Sequence, residues 1–335
     1  MRTRKPTIGS LCTGYGGLDM AVRAVFSGKL AWCADNDKHV ATILATRYPG
    51  VPNLGDITTL DWGQALPVDI MCAGFPCQDI STSGKGLGIE KGERSGIWKN
   101  IAEGIRLLRP SLIIVENVSA IRRRGLDRVL GDLAENGYYS VWTSLRASDI
   151  GAAHRRERVF ILAYRPRAEH LLLAAYTRCQ RRRRWTTTRQ AQSWRSPGGP
   201  LRPGAGAVAP ESMGQQERSI TSCPGRPTDE HSVTSLSDIV WGRYEAAIRG
   251  WEAVSGRAAP HPTELGTCGQ PRLSPVFSEW LMGIPSGFVT NLDLPYSAKH
   301  RAIGNGVVPQ QAIAALRELV EIAVQEILAA DVAAA

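Results

Sequence analysis

Short apolar runs alternate with segments of helical periodicity along the first half of the chain. The apolar runs are typical of buried strands and cover residues 8–12, 30–34, 70–73 and 111–118. The segments between them are typical of helices and cover residues 18–25, 38–47, 97–108 and 126–133. Residues 139–147 and 158–164 predict a final hairpin-like pair of strands. This order predicts an α/β fold with a doubly wound, mostly parallel sheet.

Polar or reactive residues follow the predicted strands at their carboxyl ends. They are the glycine turn at 14–17, Asp35, Asp56, Cys77 and Glu116. Ligands of doubly wound folds bind at the carboxyl ends of the strands. The sequence therefore predicts that these residues share one active site.

Cys77 is the candidate nucleophile. It follows the strand at 70–73, after Gly74 has broken the apolar run and Pro76 has restricted the backbone. Residues 78–91 are rich in glycine and serine and predict a flexible loop. A buried strand that ends in a cysteine within such a loop can present a nucleophile to a substrate. A free cysteine is also often only a small buried hydrophobe, and this stretch by itself leaves both interpretations open.

The strand, glycine turn and helix at residues 8–25 could bring backbone N–H groups close to a nucleotide-like ligand. A simple tight turn explains the same residues. Asp35 follows about 20 positions later, where a ribose diol would be held. Residues 35–37 could equally cap the next helix, and Asp35 and Asp37 could divide the two tasks. An acid beside an apolar residue, as at Asp56 and Ile57, could meet an adenine ring.

Two further candidates are Glu116 and the basic residues 154–158, which read His-Arg-Arg-Glu-Arg. A charged residue rarely ends a buried strand without a partner or a function, although a solvated strand end is the alternative. The basic residues could clamp a phosphate or a base, or could form a solvated hairpin edge.

The composition changes after Arg165. Residues 170–210 contain no acidic residue but many arginines, with Trp185 and Trp194 among them. Arginine with aromatic residues suits phosphate contact and base stacking, whereas a disordered basic linker has the same composition, and both hold if the segment orders on DNA.

Later elements are predicted as follows: a helix at 239–251, folded composition at 273–288, and a glycine turn at 304–306 that opens an amphipathic helix with an apolar face over 313–327.

The formal charge of +9 and the pI of about 9.4 favour a polyanionic partner such as nucleic acid, although solubility alone could explain them. Seven scattered cysteines without a CxxC pair indicate a reducing compartment and argue against a disulfide framework or a metal site. The sequence shows no signal peptide and no run of about 18 apolar residues. We expect a cytoplasmic protein that meets no membrane and associates with the nucleoid through DNA.

Five blocks of residues resemble the signature blocks of the DNA (cytosine-5)-methyltransferase family. They are Gly14-Tyr-Gly-Gly17, Gly74-Phe-Pro-Cys-Gln78, Glu116-Asn-Val118, Arg156-Glu-Arg158 and Gly304-Asn-Gly-Val-Val308, in the family's order. The resemblance covers residues 8–164 and 272–325. It implies a Rossmann-like catalytic domain that binds S-adenosylmethionine, formed by residues 1–165 with 272–330. It also implies a smaller, irregular target-recognition region at 166–271, part of which could be disordered.

The resemblance implies methyl transfer from S-adenosylmethionine to C5 of a cytosine in a specific DNA sequence. C5 is a poor nucleophile until a thiolate adds to C6, and Cys77 would form this adduct. Glu116 would act at N3, Arg158 would hold O2, and Arg156 would support Cys77 or the base. The cytosine must be flipped out of the duplex, and residues 78–91 would close over it as a lid.

The resemblance also implies the cofactor site. Asp35 would bind the ribose and Asp56 the adenine amino group, with Ile57 and Pro76 packed on the ring and Asn305 supporting the pocket. The implied set is Thr13, Gly14, Tyr15, Gly16, Gly17, Asp35, Asn36, Asp56, Ile57, Pro76, Asn305 and Gly306, and no metal is implied.

Two residues depart from the family pattern. Cys12 stands where the family usually has phenylalanine, so the adenine would lose an aromatic face, and we assign Cys12 no reactivity. Asn36 stands where a large apolar residue is frequent. Neither position touches the methyl-transfer chemistry.

Other functions remain to be weighed against DNA methylation. An RNA methyltransferase of the same fold is one, but the Cys-Phe-Thr signature of the tRNA-modifying members is absent from the sequence. An inactive DNA-binding relative is another, which the intact Cys77, Glu116 and Arg158 oppose. A thymidylate-synthase type of enzyme or a nicotinamide dehydrogenase would leave several blocks without a role.

We expect double-stranded DNA as the partner and a monomeric protein. The sequence shows no nuclease motif, so any cognate restriction endonuclease would be a separate protein.

Overall fold

The computed structural model describes residues 4–75, 96–193, 239–266 and 269–334. Its strands are β1 (Thr7–Leu11), β2 (Lys29–Ala34), β3 (Ile70–Gly74), β4 (Leu112–Val118), β5 (Tyr139–Arg146), β6 (Glu157–Tyr164), β7 (Thr263–Leu265) and β8 (Pro271–Leu273). Its α-helices are α1 (Gly17–Phe26), α2 (Lys38–Arg47), α3 (Gly96–Leu108), α4 (Ile121–Arg124), α5 (Leu126–Glu135), α6 (Glu169–Ser193), α7 (Glu245–Ser255), α8 (Pro275–Leu281), α9 (Tyr296–Asn305) and α10 (Pro309–Ala334).

Six strands form one sheet in the order β2-β1-β3-β4-β6-β5, and β7 and β8 form a separate antiparallel pair. The four strands β1 to β4 are mutually parallel. β6 runs antiparallel to both of its neighbours, β4 and β5. The predicted α/β fold with a mostly parallel sheet is confirmed, as is the hairpin-like pairing of the last two strands.

Two apolar clusters cover the two faces of the sheet. Along β4, Leu112 and Ile114 belong to one cluster while Ile113 and Val115 belong to the other, because successive side chains of a strand point to opposite faces. The first cluster contains residues of α1, α2, α6 and α10, and the second contains residues of α3 and α5. Burial on both faces explains why the strands read as continuous apolar runs.

α10 lies against the first βα unit of the chain. Leu316, Leu319 and Val320 are fully buried in the same cluster as Ile8 and Val22 of β1 and α1. The predicted apolar face of the last helix is therefore confirmed. The packing joins the two ends of the described chain in one core.

α6 is a helix that the sequence analysis did not predict, since the basic composition after residue 170 indicated a linker or a DNA-contacting segment. Its first turns contain leucine and alanine, which are strong helix formers. Ala168, Leu172 and Ala175 are buried in the first apolar cluster, where α6 packs against α1 and α10. These contacts attach residues 168–179 to the sheet domain, whereas the predicted boundary stood at 165. Residues 194–238, including Trp194, lie outside the described residues.

A third apolar cluster joins α7, α8 and α9 to the first glycine turn, at residues 14–17. It contains Ile248 and Trp251 of α7, Trp280 of α8 and Ile303 of α9. The prediction of a packed helix after residue 239 is confirmed, with bounds shifted to those of α7. No described helix is long and apolar enough to cross a membrane.

The loop after α8 is fixed from two sides. The buried Glu279 carboxylate accepts hydrogen bonds from the backbone N–H groups of Gly287, Val289 and Thr290 at 2.6–3.1 Å. Arg47 of α2 donates to the carbonyl of Phe288 at 2.6 Å. Through this loop the chain after residue 275 is anchored to the first half of the sheet domain.

Candidate active site

A cavity of about 280 Å³ opens at the carboxyl ends of the parallel strands. Of the predicted site residues, it is lined by Gly14, Asp35, Glu116, Arg156, Arg158 and Asn305. Gly74 and Phe75 at the end of β3 line it as well. The cavity thus brings together residues from all five sequence blocks. Pro76 and Cys77 themselves lie outside the described residues.

The Glu116 carboxyl group forms an ion pair with Arg158 inside this cavity. Arg158 Nε lies 2.9 Å from Glu116 Oε1, and the two side chains are only 16% and 8% exposed. Burial raises the pKa of Glu116, although Arg158 and Arg156 oppose the shift. Glu116 therefore keeps its proton to a higher pH than an exposed glutamate does.

The reversed direction of β6 brings Arg158 to this place. In the β4–β6 register Val118 pairs with Arg158 and Glu116 pairs with Phe160. Because β6 is antiparallel to β4, its first residues lie at the carboxyl end of β4. A parallel strand would carry the same arginine to the opposite edge of the sheet.

Arg156 binds the backbone of the second glycine turn. Its Nη2 donates to the carbonyls of Gly304 at 2.8 Å and Gly306 at 2.6 Å. Gln311 of α10 donates in turn to the Arg156 carbonyl at 2.8 Å. These bonds fix the loop that carries Asn305 at the cavity.

The rest of the basic cluster differs from a solvated hairpin edge. His154 Nε2 lies 3.0 Å from the Leu281 carbonyl, and burial lowers the pKa of this histidine to about 4. His154 is therefore neutral at physiological pH. Only Arg155 of the five residues is exposed.

Asp35 fixes the glycine turn to the end of β2. One carboxylate oxygen accepts from the Gly14 N–H at 2.9 Å and the other from the Asp37 N–H at 3.0 Å. Burial raises the pKa of Asp35 despite these bonds. Asp37 caps α2 by accepting from His39 and Val40, so the capping role foreseen for residues 35–37 falls to Asp37.

Asn36 and Asp56 form one unit. The Asn36 side-chain amide donates to Asp56 Oδ2 at 3.0 Å, and Thr58 donates to Oδ1 through its backbone N–H and its hydroxyl. These hydrogen bonds lower the pKa of Asp56. Neither residue lines the cavity directly, and Ile57 is buried in the second apolar cluster.

Five predicted cofactor residues do not line the cavity but lie in or next to the two glycine turns beside it. Tyr15 is fully buried and its hydroxyl donates to the Val307 carbonyl. Its ring lies so close to Gly306 that a Cβ atom there would overlap it, and a Cβ on Gly17 would overlap the Val307 carbonyl oxygen. Gly16 has a φ of 87° and precedes α1, and the Thr13 hydroxyl bridges the ends of β1 and β2. The first and last sequence blocks therefore interlock.

Cys12 lines the cavity at the end of β1. Its φ of 51° lies in the left-handed region, which turns the chain towards Gly14. Burial, with the nearby charges of Asp35 and Asp56, raises the pKa of the Cys12 thiol to about 12. An uncharged thiol is a poor nucleophile, which agrees with assigning this residue no reactivity.

The sequence analysis missed several lining residues. They are Asp37, Val40, Asn117, Val118, Ala298, Arg301, Ala302 and Gly304. Arg301 of α9 forms an ion pair with Asp37 at 2.9 Å, and Asn117 donates to the Phe75 carbonyl at 3.3 Å. Asn117 and Gly304 stood within recognised blocks, but no sequence signal indicated that α9 would close one wall of the cavity.

The sequence matches the C-5 cytosine-specific DNA methylase family over residues 7–321. The chain belongs to this family. The resemblance predicted from five short blocks is thereby confirmed over most of the chain, including the segment between the fourth and fifth blocks.

Individual members of the family show the extent of the similarity. The chain is 30% identical over 158 residues to the Type II methyltransferase M.DsaV of Dactylococcopsis salina, which is 46% of this chain and 44% of that protein. It is likewise 30% identical to the Type II methyltransferase M.NgoBI of Neisseria gonorrhoeae, over 46% of this chain and 49% of that protein. The chain spans less than half the length of these curated relatives. A structure of a Spodoptera frugiperda DNMT2 mutant is 20% identical, covers 48% of this chain and 50% of its own, and has a TM-score of 0.39.

Proposed function

We propose that this protein is a DNA cytosine-5 methyltransferase that uses S-adenosylmethionine. The buried Glu116–Arg158 pair beside Gly74 and Phe75 is the observation that carries the proposal. A protonated carboxyl donates a hydrogen bond to N3 of cytosine, and a guanidinium donates to O2, so the pair matches one edge of this base. Cys77 follows Phe75 by two residues, and we propose that its thiol acts at the same cavity.

The described residues fit S-adenosylmethionine. A Cβ on Gly14 would meet no heavy atom within 4 Å, so the cavity reaches the backbone there. Each Asp35 oxygen accepts one N–H and keeps a lone pair that could accept from a ribose hydroxyl. The Asp56 carboxylate, held by Asn36 and Thr58, is proposed to accept a hydrogen bond from the adenine amino group. Pro76 and Ile57 are proposed to pack near the ring, and Asn305 to border the cofactor.

Each catalytic residue has a separate task in this proposal. The Cys77 thiolate adds to C6, which makes C5 nucleophilic. Glu116 relieves the charge that builds on the ring by hydrogen bonding at N3, for which its raised pKa is suited. Arg158 holds O2, and Arg156 acts through the backbone of residues 304–306. Bound S-adenosylmethionine would supply an electrophilic methyl group to C5. A base then takes the C5 proton, and its electron pair restores the ring double bond as the Cys77 thiolate leaves C6.

The substrate is proposed to be cytosine in double-stranded DNA. A paired base cannot be reached in the stack, so it must be flipped out into the cavity. Residues 78–91, which lie outside the described residues, are proposed as the lid. Residues 166–271 are proposed as the target-recognition region, with the beginning of α6 attached to the sheet domain. We further propose a cytoplasmic monomer, with any restriction endonuclease encoded separately.

The decisive test is covalent trapping. Fluorine at C5 cannot be eliminated, so DNA containing 5-fluorocytosine should form an adduct with the protein that survives a denaturing gel when S-adenosylmethionine is present. Cys77→Ser should abolish both adduct and methylation while leaving cofactor binding near normal. The control Cys179→Ser, on α6, should trap as the parent protein does.

Three results would count against the proposal. Methyl transfer by Cys77→Ser would exclude this nucleophile, and an active enzyme that forms no adduct would exclude the covalent route. Methylation of RNA without methylation of DNA would favour the RNA-modifying alternative. Bisulfite sequencing of DNA from cells that express the protein would identify the target sequence.

A further inference from the structure

A surface groove of about 760 Å³ adjoins the cavity. Its charged lining consists of Arg122, Arg123 and Arg124 of α4 together with Glu157 and Arg158 of β6. Arg158 and Val118 line both the groove and the cavity. The groove therefore leads directly to the Glu116–Arg158 pair.

The groove carries excess positive charge. Arg158 is paired with Glu116, and Glu157 accepts from Arg122 at 3.0 Å and from the Ser144 hydroxyl at 2.8 Å. Three guanidinium groups of α4 thus face one carboxylate. Arg123 is exposed, and no described residue accepts a hydrogen bond from its guanidinium group. A surface of this kind fits a polyanion.

The distance from the base-binding residues suits a nucleic-acid strand. Ser119, at the entrance to the groove, follows Glu116 by three residues, which is roughly 10 Å of extended chain. Phosphates of one DNA strand recur about every 3.4 Å along the helix axis, so this separation corresponds to two or three phosphates. Arginine binds phosphate oxygens bidentately and is the side chain best suited to such contacts.

We propose that the arginine turn, residues 122–124, binds the phosphates that flank the extruded cytosine and holds that strand at the mouth of the cavity. Glu157 orients Arg122 towards the same strand and keeps it out of the cavity. This inference rests on the proposed function, because it takes DNA as the substrate.

Salt-dependent binding tests the inference without requiring catalysis. The probe is a fluorescent mixed-sequence DNA duplex, titrated without cofactor from ~50 to ~200 mM salt. Arg123→Gln should reduce the magnitude of the slope of log K against log salt by about 0.9. If variant and parent bind equally at 1 M salt, the variant complex is then about eightfold weaker than the parent complex at ~0.1 M salt. Arg123→Lys keeps the charge and should keep most of the slope.

The matched control is Arg106→Gln. Arg106 is also exposed and helical, but it lies in the last turn of α3, before the strand β4 begins, at the opposite edge of the sheet. Its loss should leave the slope unchanged. Urea unfolding of both variants should stay close to that of the parent protein, since Arg123 holds no described partner and the Arg106–Glu103 pair is exposed, where an ion pair contributes little to stability.

The outcomes separate the two proposals. An unchanged slope in Arg123→Gln, or equal changes in both variants, would overturn the arginine turn as a phosphate site while duplex binding by the parent protein survives. A slope change with an RNA hairpin but not with the duplex would reassign the groove to RNA. Failure of the parent protein to bind the duplex would overturn the DNA substrate itself.

Discussion

At the scale of single residues, two buried carboxyl groups lie near the cavity, but only one of them faces it. Glu116 faces it with a cationic partner. Asp19 of α1 is fully buried behind it, where Oδ1 accepts a long hydrogen bond, of 3.7 Å, from the Cys72 thiol. Burial raises the pKa of Asp19 from 3.8 to about 6. Asp19 has no task in the proposed reaction, so its charge should affect stability alone.

We predict that Asp19→Asn stabilises the protein at neutral pH. The folded state binds the Asp19 proton more tightly than the unfolded state, so the free energy of unfolding should fall as pH rises between about 4 and 6. A shift of this size corresponds to at most ~3 kcal/mol. Asparagine does not ionise, so it removes this pH-dependent loss of unfolding free energy. Its side-chain oxygen can still accept the hydrogen bond from the Cys72 thiol.

Urea unfolding at pH 4.5 and pH 7.5 measures the effect. The difference between parent and Asp19→Asn should grow with pH, whereas Asp127→Asn, an exposed change on α5, should follow the parent protein. Parallel pH profiles for the parent and Asp19→Asn would show that the buried carboxyl does not titrate in this range.

At the scale of elements, the direction of one strand decides which side chains meet. The sequence showed a basic cluster between two strands, but it could not show that Arg156 reaches two carbonyls about 150 residues later. That contact depends on β6 running antiparallel and on α9 and α10 folding back, and both are set by tertiary packing. The same holds for Tyr15, whose block indicated cofactor contact although its hydroxyl bonds to Val307.

We predict that Arg156→Lys weakens cofactor binding while the fold persists. Lysine keeps the charge, but its side chain is shorter, so its ammonium group should not reach both carbonyls that Arg156 Nη2 binds, those of Gly304 and Gly306. Loss of one charge-assisted hydrogen bond, worth about 1.5–3 kcal/mol, should loosen the loop at Asn305 and raise the dissociation constant about tenfold or more.

Isothermal titration with S-adenosylmethionine measures this constant directly. Arg155→Gln is the control, because Arg155 is the exposed neighbour and lies outside the lining of the cavity. If Arg156→Lys binds the cofactor as tightly as Arg155→Gln does, the hydrogen bonds from Arg156 to the carbonyls of Gly304 and Gly306 do not support the cofactor site.

At the scale of the whole molecule, local signals predicted the sheet and its strand-end residues well. The strands are buried on both faces, so each reads as an apolar run, and Glu116 and Asp35 follow such runs. The wall formed by α9 could not be predicted, because the pair of Arg301 with Asp37 joins residues that are far apart in the sequence. The first turns of α6 were missed because the basic composition of the residues that follow them outweighed a short apolar periodicity.

The interlock of the two ends of the described chain predicts that the sheet domain cannot fold without α9 and α10. A chain that ends at Pro295 loses, among other residues, the four large apolar side chains of α10 that are fully buried, namely Leu316, Leu319, Val320 and Val324. Each contributes about 1.5–3 kcal/mol, so their sum approaches the 5–15 kcal/mol by which a domain is stable. This chain should show no cooperative urea transition, whereas a chain that ends at Leu328 keeps all four and should unfold near the parent midpoint. A cooperative transition in the shorter chain would mean that the first half forms its core alone.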